Sequence, residues 1–166
     1  MITLVLGGAR SGKSAVAEVL ARASGSVVTY IATGDAGNDE DFRTRIAEHQ
    51  RRRPAEWATI ECGQDLVGAL AGLDGTVLVD SLGTWIAKWP DFAIDTTALL
   101  DGVCHVSGHV VIVSDEVGMG VHPSSDVGRA FRDAVGSLNQ AVANVADSVL
   151  LVVAGQVVTL KSGPST

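Results

Sequence analysis

An α/β fold with a mainly parallel sheet is what this chain predicts, and three observations carry it. Short apolar runs alternate with stretches of helical period along the whole sequence. The first run leads into Gly7-Gly8-Ala9-Arg10-Ser11-Gly12-Lys13-Ser14, a G-x-x-x-x-G-K-S pattern set between a strand and a helix. A turn at Gly155 joins the last two runs and predicts an antiparallel hairpin at one edge.

Residues 2–6 form the first strand, and helix 13–23 follows with Val16, Val19, Leu20 and Ala23 on its apolar face. A second strand covers 27–32. The charged stretch 39–53 reads as a helix, capped near Asn38 or Asp39 and stopped by Pro54. Residues 57–61 give a short strand, 65–73 a helix, and 76–80 a strand that ends on Asp80. Helix 81–89 is interrupted by Pro90, and a weaker helix spans 95–107. The most apolar strand is 109–113. A sustained helical period then runs through 126–146 in Val127, Phe131, Ala134, Val135, Leu138, Val142 and Val145. Strands 148–153 and 156–160 close the sheet, and 162–166 frays. No repeat, linker or low-complexity block divides the chain, so one domain over 1–166 is expected.

Composition narrows the function classes. The chain has 166 residues, of which 46% are apolar, enough for a sizeable core and too many for a disordered chain. Its net charge of −7 argues against a general nucleic-acid binder, whose footprint would be basic. Each apolar run is cut by Gly, Asp or Ser well short of a membrane span, and Met1 runs straight into the first strand without a basic leader. Cys62 and Cys104 lie far apart with no C-x-x-C spacing, as reduced thiols of a cytoplasmic protein would.

In an α/β sheet, functional groups gather at the carboxyl ends of the strands. The glycines of 7–14 let successive backbone N–H groups point at phosphate oxygens, and the helix that follows adds its positive end. Lys13 reaches the outer phosphates, and the Ser14 hydroxyl serves Mg²⁺. Asp80, at the end of an apolar strand, is the matching acid for that metal. On helix 39–53, Arg45 and His49 lie four apart on one face, with Arg51, Arg52 and Arg53 following. An imidazole among guanidinium groups is held neutral and can attack phosphorus, while the arginines balance phosphate charge. The same pattern also fits a basic helix that simply faces water. Glu116, at a strand end, reads equally as a substrate or metal contact and as an acid in a turn. His105, His109 and His122 receive no catalytic role, and Trp57, Trp85 and Trp89 read as core or interface anchors.

Beyond the P-loop, the chain carries Tyr30-Ile31-Ala32-Thr33 and Arg45-Ile46, then His49 and Arg53-Pro54 with Trp57. Ser114-Asp115-Glu116-Val117-Gly118-Met119-Gly120, Phe131-Arg132-Asp133, Leu138-Asn139-Gln140 and Ala146-Asp147 complete the set. From residue 2 to about 161 the sequence resembles the bifunctional adenosylcobinamide kinase / adenosylcobinamide-phosphate guanylyltransferase family of cobalamin biosynthesis. The resemblance implies a P-loop NTPase fold of RecA-like, three-layer form. It implies two reactions. ATP or GTP phosphorylates adenosylcobinamide, and GTP then donates GMP through a histidine to give adenosylcobinamide-GDP. His49 matches that histidine. Ile31, Ala32 and Thr33, Gln50 to Arg53, Glu61 and Asp80 match nucleotide-site positions, beside Gly7, Gly8, Ala9, Arg10, Ser11, Gly12, Lys13 and Ser14. A homo-oligomer is implied as well, with a trimer as the candidate form.

The sequence departs from the family pattern at two named positions. Residue 115 is Asp where Asn is common, and residue 83 is Gly where a larger residue is usual. The segment from Trp85 to His109 is also short. A kinase without guanylyl transfer, or a nucleotide-sensing binding module, would share the P-loop.

Overall fold

The computed structural model describes residues 1–34, 51 and 54–163. In chain order the elements are β1 (Ile2–Gly7), α1 (Lys13–Ala23), β2 (Val28–Ala32), β3 (Ala58–Glu61), α2 (Leu66–Leu70) and β4 (Asp74–Asp80). Then come α3 (Leu82–Ile86), α4 (Thr96–His105), β5 (Ser107–Asp115), α5 (Asp126–Val145), β6 (Ser148–Val153) and β7 (Gln156–Lys161). The seven strands form one sheet in the order β3-β2-β4-β5-β1-β6-β7. All neighbours are parallel except β6 and β7, the antiparallel edge hairpin that Gly155 predicts. Ala154 and Gly155 both take positive φ, 52° and 75°, the two-residue turn whose twist suits a hairpin.

Alternation along the strands sends side chains to two cores, as a sheet covered on both faces requires. Val5, Tyr30, Leu78, Val111 and Val113 face α1 and its buried Ala17 and Ala21. Leu4, Ile31, Val79 and Ile112 face the other way, toward Leu66, Leu99, Leu138 and Val142 from α2, α4 and α5. Helices on both faces of one sheet make three layers.

Several boundaries differ from expectation, each for a local reason. On α1 the inward line is Lys13, Ala17 and Ala21, while Val19 is 65% exposed and Ala23 is also exposed. The P-loop fixes where Lys13 points, which sets the helix phase, and alanines let the helix approach the sheet closely. Helix α2 is shorter than 65–73. Asp65 caps it by accepting from Gly68 N at 2.8 Å, and Ala71 turns extended before Gly72. Helix α3 begins after Ser81, which closes a capping box with Thr84, and it ends at Ile86. Strands β4 and β5 start earlier than expected because Asp74 pairs with Ser107 and extends both. The predicted helix over 39–53 falls almost wholly outside the described residues. Among those described, no helix is long and apolar enough to cross a membrane.

The amino ends of the strands carry a pH-sensitive cluster. The Met1 ammonium donates to Gly108 O at 2.7 Å, Ile2 N donates to Asp147 Oδ2 at 2.6 Å, and His109 Nε2 lies 3.0 Å from Thr3 Oγ1. Burial pushes the His109 imidazole below the usual 6.5, the Met1 ammonium adds to that, and Asp147 opposes it. A histidine lowered by folding binds fewer protons than the unfolded chain does. Its contribution to stability is therefore present above 6.5 and lost as pH falls through the folded value. His109→Gln is expected to flatten the fall of Tm between about pH 7 and pH 5. Parallel curves for the two proteins would contradict this.

Candidate active site

The P-loop leaves the inner strand β1 at Gly7 and enters α1 at Lys13. A side chain at Gly7 would overlap Ser11 Oγ and come within 2.8 Å of Val152 O, so the start of the loop tolerates none. Gly12 takes φ 94° as the helix N-cap, a left-handed conformation that suits glycine. Ser11 N donates to Gly8 O at 3.3 Å, and Gly155 N donates to Ser11 O at 2.8 Å. The tip of the β6–β7 hairpin thus braces the loop from the side, a contact that sequence spacing does not reveal. Lys13 is buried at the helix start, and its Nζ lies 3.2 Å from Gly8 O and 2.8 Å from Asp115 Oδ1.

Sheet register brings the acids to the same edge. Gly7 pairs beside Asp115, and Ala32 beside Asp80, so the ends of β1, β2, β4 and β5 align. Ser14 Oγ donates to Asp80 Oδ1 at 3.3 Å, and Tyr30 Oη donates to Asp80 Oδ2 at 3.0 Å. A hydroxyl and a carboxylate side by side form the hard oxygen set that Mg²⁺ takes together with substrate phosphates. Among the described residues no group of three or more His, Cys, Asp or Glu could cage a metal.

Thr33 is fully buried, and its hydroxyl donates to Ser81 O at 2.7 Å and meets Thr84 Oγ1. Thr33 N donates to Asp80 O at 3.3 Å, so this residue braces the turn that presents Asp80. Ile31 is a core side chain, and Ala32 is half-buried with its carbonyl accepting from Cys62 N at 3.2 Å. Glu61 is exposed at the end of β3, the outermost strand on that side, and Arg51 is exposed too. His49, Gln50, Arg52 and Arg53 lie outside the described residues. The Glu116 carboxylate accepts from Gly118 N and Met119 N at 3.0 and 3.1 Å, which is the turn reading of that acid. His122 meets Arg132, and His105 meets Asp101 O.

Two residues of the site were not singled out for it by sequence: Tyr30, behind Asp80, and Asn139, whose Nδ2 donates to Asp115 O at 3.0 Å and ties α5 to the end of β5. The two departures from the family pattern also meet, because Asp115 lies against Gly83.

A phosphate-binding turn after the inner strand β1, with Ser14 held to a strand-end acid, marks an α/β protein of the P-loop NTPase class. Within that class the chain belongs to the family described as cobinamide kinase / cobinamide phosphate guanyltransferase, which residues 3–160 match. The bifunctional adenosylcobalamin biosynthesis protein CobP of Pseudomonas aeruginosa is 41% identical over 173 residues, covering 99% of each chain. The bifunctional adenosylcobalamin biosynthesis protein CobU of Salmonella typhimurium is 37% identical, over 97% of this chain and 100% of its own. Among solved structures, an ATPase from the type III secretion system of pathogenic bacteria superposes with a TM-score of 0.56 at 10% identity. That likeness covers 90% of this chain and 51% of the ATPase, and it shows the fold alone.

Proposed function

We propose that this chain, as one domain over 1–166, catalyses both family reactions: phosphorylation of adenosylcobinamide by ATP or GTP, then transfer of GMP from GTP. What carries the reading is a family match over residues 3–160 in a chain whose Lys13, Ser14 and Asp80 converge at one sheet edge. In the first reaction the substrate hydroxyl oxygen attacks the γ-phosphorus. The bond to the β–γ bridging oxygen breaks, the hydroxyl proton leaves, and the nucleoside diphosphate departs. Such a transfer depends on positioning and charge. Backbone N–H groups of Gly8 to Lys13 and the Lys13 ammonium supply both. Ser14 and Asp80 are the residues that would hold Mg²⁺, which when bound neutralises phosphate charge.

In the second reaction the His49 imidazole attacks the α-phosphorus of GTP and pyrophosphate leaves. An oxygen of the substrate phosphate then attacks the phosphorus bound to nitrogen, freeing His49 and giving adenosylcobinamide-GDP. Arg51, Arg52 and Arg53 balance the phosphate charge, and Gln50, Glu61 and Thr33 belong to the nucleotide side. The working form is a homo-oligomer, with a trimer as the candidate. Supporting this, the outer strand β7 exposes apolar Val157, Val158 and Leu160 at a sheet edge. The protein works in the cytoplasm, in keeping with its two free thiols.

Mass spectrometry of the products tests the proposal. Adenosylcobinamide with ATP and Mg²⁺ is expected to gain one phosphoryl group, and added GTP is expected to convert that product to the GDP adduct with release of pyrophosphate. A product that stops at the phosphate would leave a kinase, and no product from either step would refute the reading.

A further inference from the structure

The ion pair between Lys13 and Asp115 is not explained by the P-loop pattern. Asp115 Oδ1 lies 2.8 Å from Lys13 Nζ, and the side chains are only 10% and 27% exposed for Lys13 and Asp115. The carboxylate occupies the reach of the ammonium that the outer phosphates of a triphosphate would use. Three contacts hold it there. Its backbone pairs beside Gly7, Asn139 Nδ2 donates to its carbonyl at 3.0 Å, and Ser81 Oγ donates to Oδ2 at 3.4 Å.

The remaining side is open because residue 83 is glycine. A Cβ built on Gly83 would overlap Asp115 Oδ2 and lie 3.0 Å from its Cγ and 3.3 Å from its Cβ. Gly83 sits inside α3, where helix propensity favours alanine, and its φ is not left-handed. Room for the carboxylate is the reason the structure offers for a bare Cα there.

We propose that Asp115, seated over Gly83, is a positioning residue for Lys13: it holds the P-loop ammonium before nucleotide arrives, and each triphosphate must exchange for it. The inference rests on the reading of Lys13 as the phosphate grip. Carboxylate and phosphate compete for one cation, so Asp115 weakens triphosphate binding and shortens each occupancy. A site that releases a diphosphate and then takes GTP in a second pose uses that exchange twice.

A double-mutant cycle on the full chain tests this, with binding of Mg²⁺ and the non-hydrolysable analogue GMP-PNP read by calorimetry at fixed ionic strength. Asp115→Asn and Gly83→Ala are each expected to bind roughly fivefold to tenfold tighter, the range for losing a partly buried competing ion pair. In a Lys13→Ala background the gain from Asp115→Asn should vanish. Unchanged or weaker binding by Asp115→Asn overturns the proposal, as does a full gain without Lys13. Lys13→Ala binding as tightly as the wild type would instead refute the phosphate grip itself, a failure the cycle separates from the first. Should Gly83→Ala fail to fold, the Asp115→Asn cycle decides alone.

Discussion

Lys13→Ala is expected to lower both phosphoryl transfer and GMP transfer by about a hundredfold to a thousandfold, the usual cost of removing one donor aimed at developing charge. The expectation follows from where the ammonium sits. It is buried at the start of α1, beside the loop whose N–H groups would surround the phosphates. Both reactions must hold a triphosphate, one by its γ end and one by its α end, and in the proposed cycle a single loop serves both. Steady-state rates of each reaction with saturating corrinoid give the measurement. A Lys13→Ala protein that loses the kinase step but keeps GMP transfer would mean that the second reaction has a separate phosphate site.

His49→Ala is expected to divide the two reactions. Losing a covalent nucleophile should lower GMP transfer by at least about 10⁴-fold, because alanine offers no attacking nitrogen. Phosphoryl transfer uses the substrate's own hydroxyl as nucleophile, so it should stay close to the wild-type rate. The contrast with Lys13→Ala matters more than either loss taken separately. In the proposed division one residue serves both chemistries and the other serves one. Equal loss of both reactions in both variants would contradict that division.

The parts of this site that chemistry forces into a fixed spacing were legible in the sequence. A glycine turn between strand and helix has few alternatives, so residues 7–14 and the start of α1 could be read directly, as could Asp80 at the end of an apolar strand. The mainly parallel α/β sheet followed from alternation of strands and helices, its three-layer form from the family resemblance, and the edge hairpin from the turn at Gly155. Contacts set by sheet order were not legible. Asp115 reaches Lys13 because β5 is the neighbour of β1, although the two residues stand far apart in the chain. Tyr30 reaches Asp80 because β2 lies beside β4. The phase of α1 was legible in part: Val16 and Leu20 pack against the core as the period suggests, while Val19 and Ala23 face outward because anchoring of Lys13 in the P-loop turns Ala17 and Ala21 inward. Thr33, matched to a nucleotide-site position through the family resemblance, also braces the turn that presents Asp80, a contact the sequence did not reveal.

The central claim is that one P-loop handles both ends of a triphosphate and passes the nucleotide through His49. Labelling tests it most directly. The protein is incubated with α-³²P-GTP or γ-³²P-GTP in the presence of Mg²⁺, denatured, and assayed for bound label. Label is expected from the α position only, stable to alkali and lost in acid as a phosphorus–nitrogen bond requires, and absent from His49→Ala. Protein without α label, or α label that persists in His49→Ala, would contradict it.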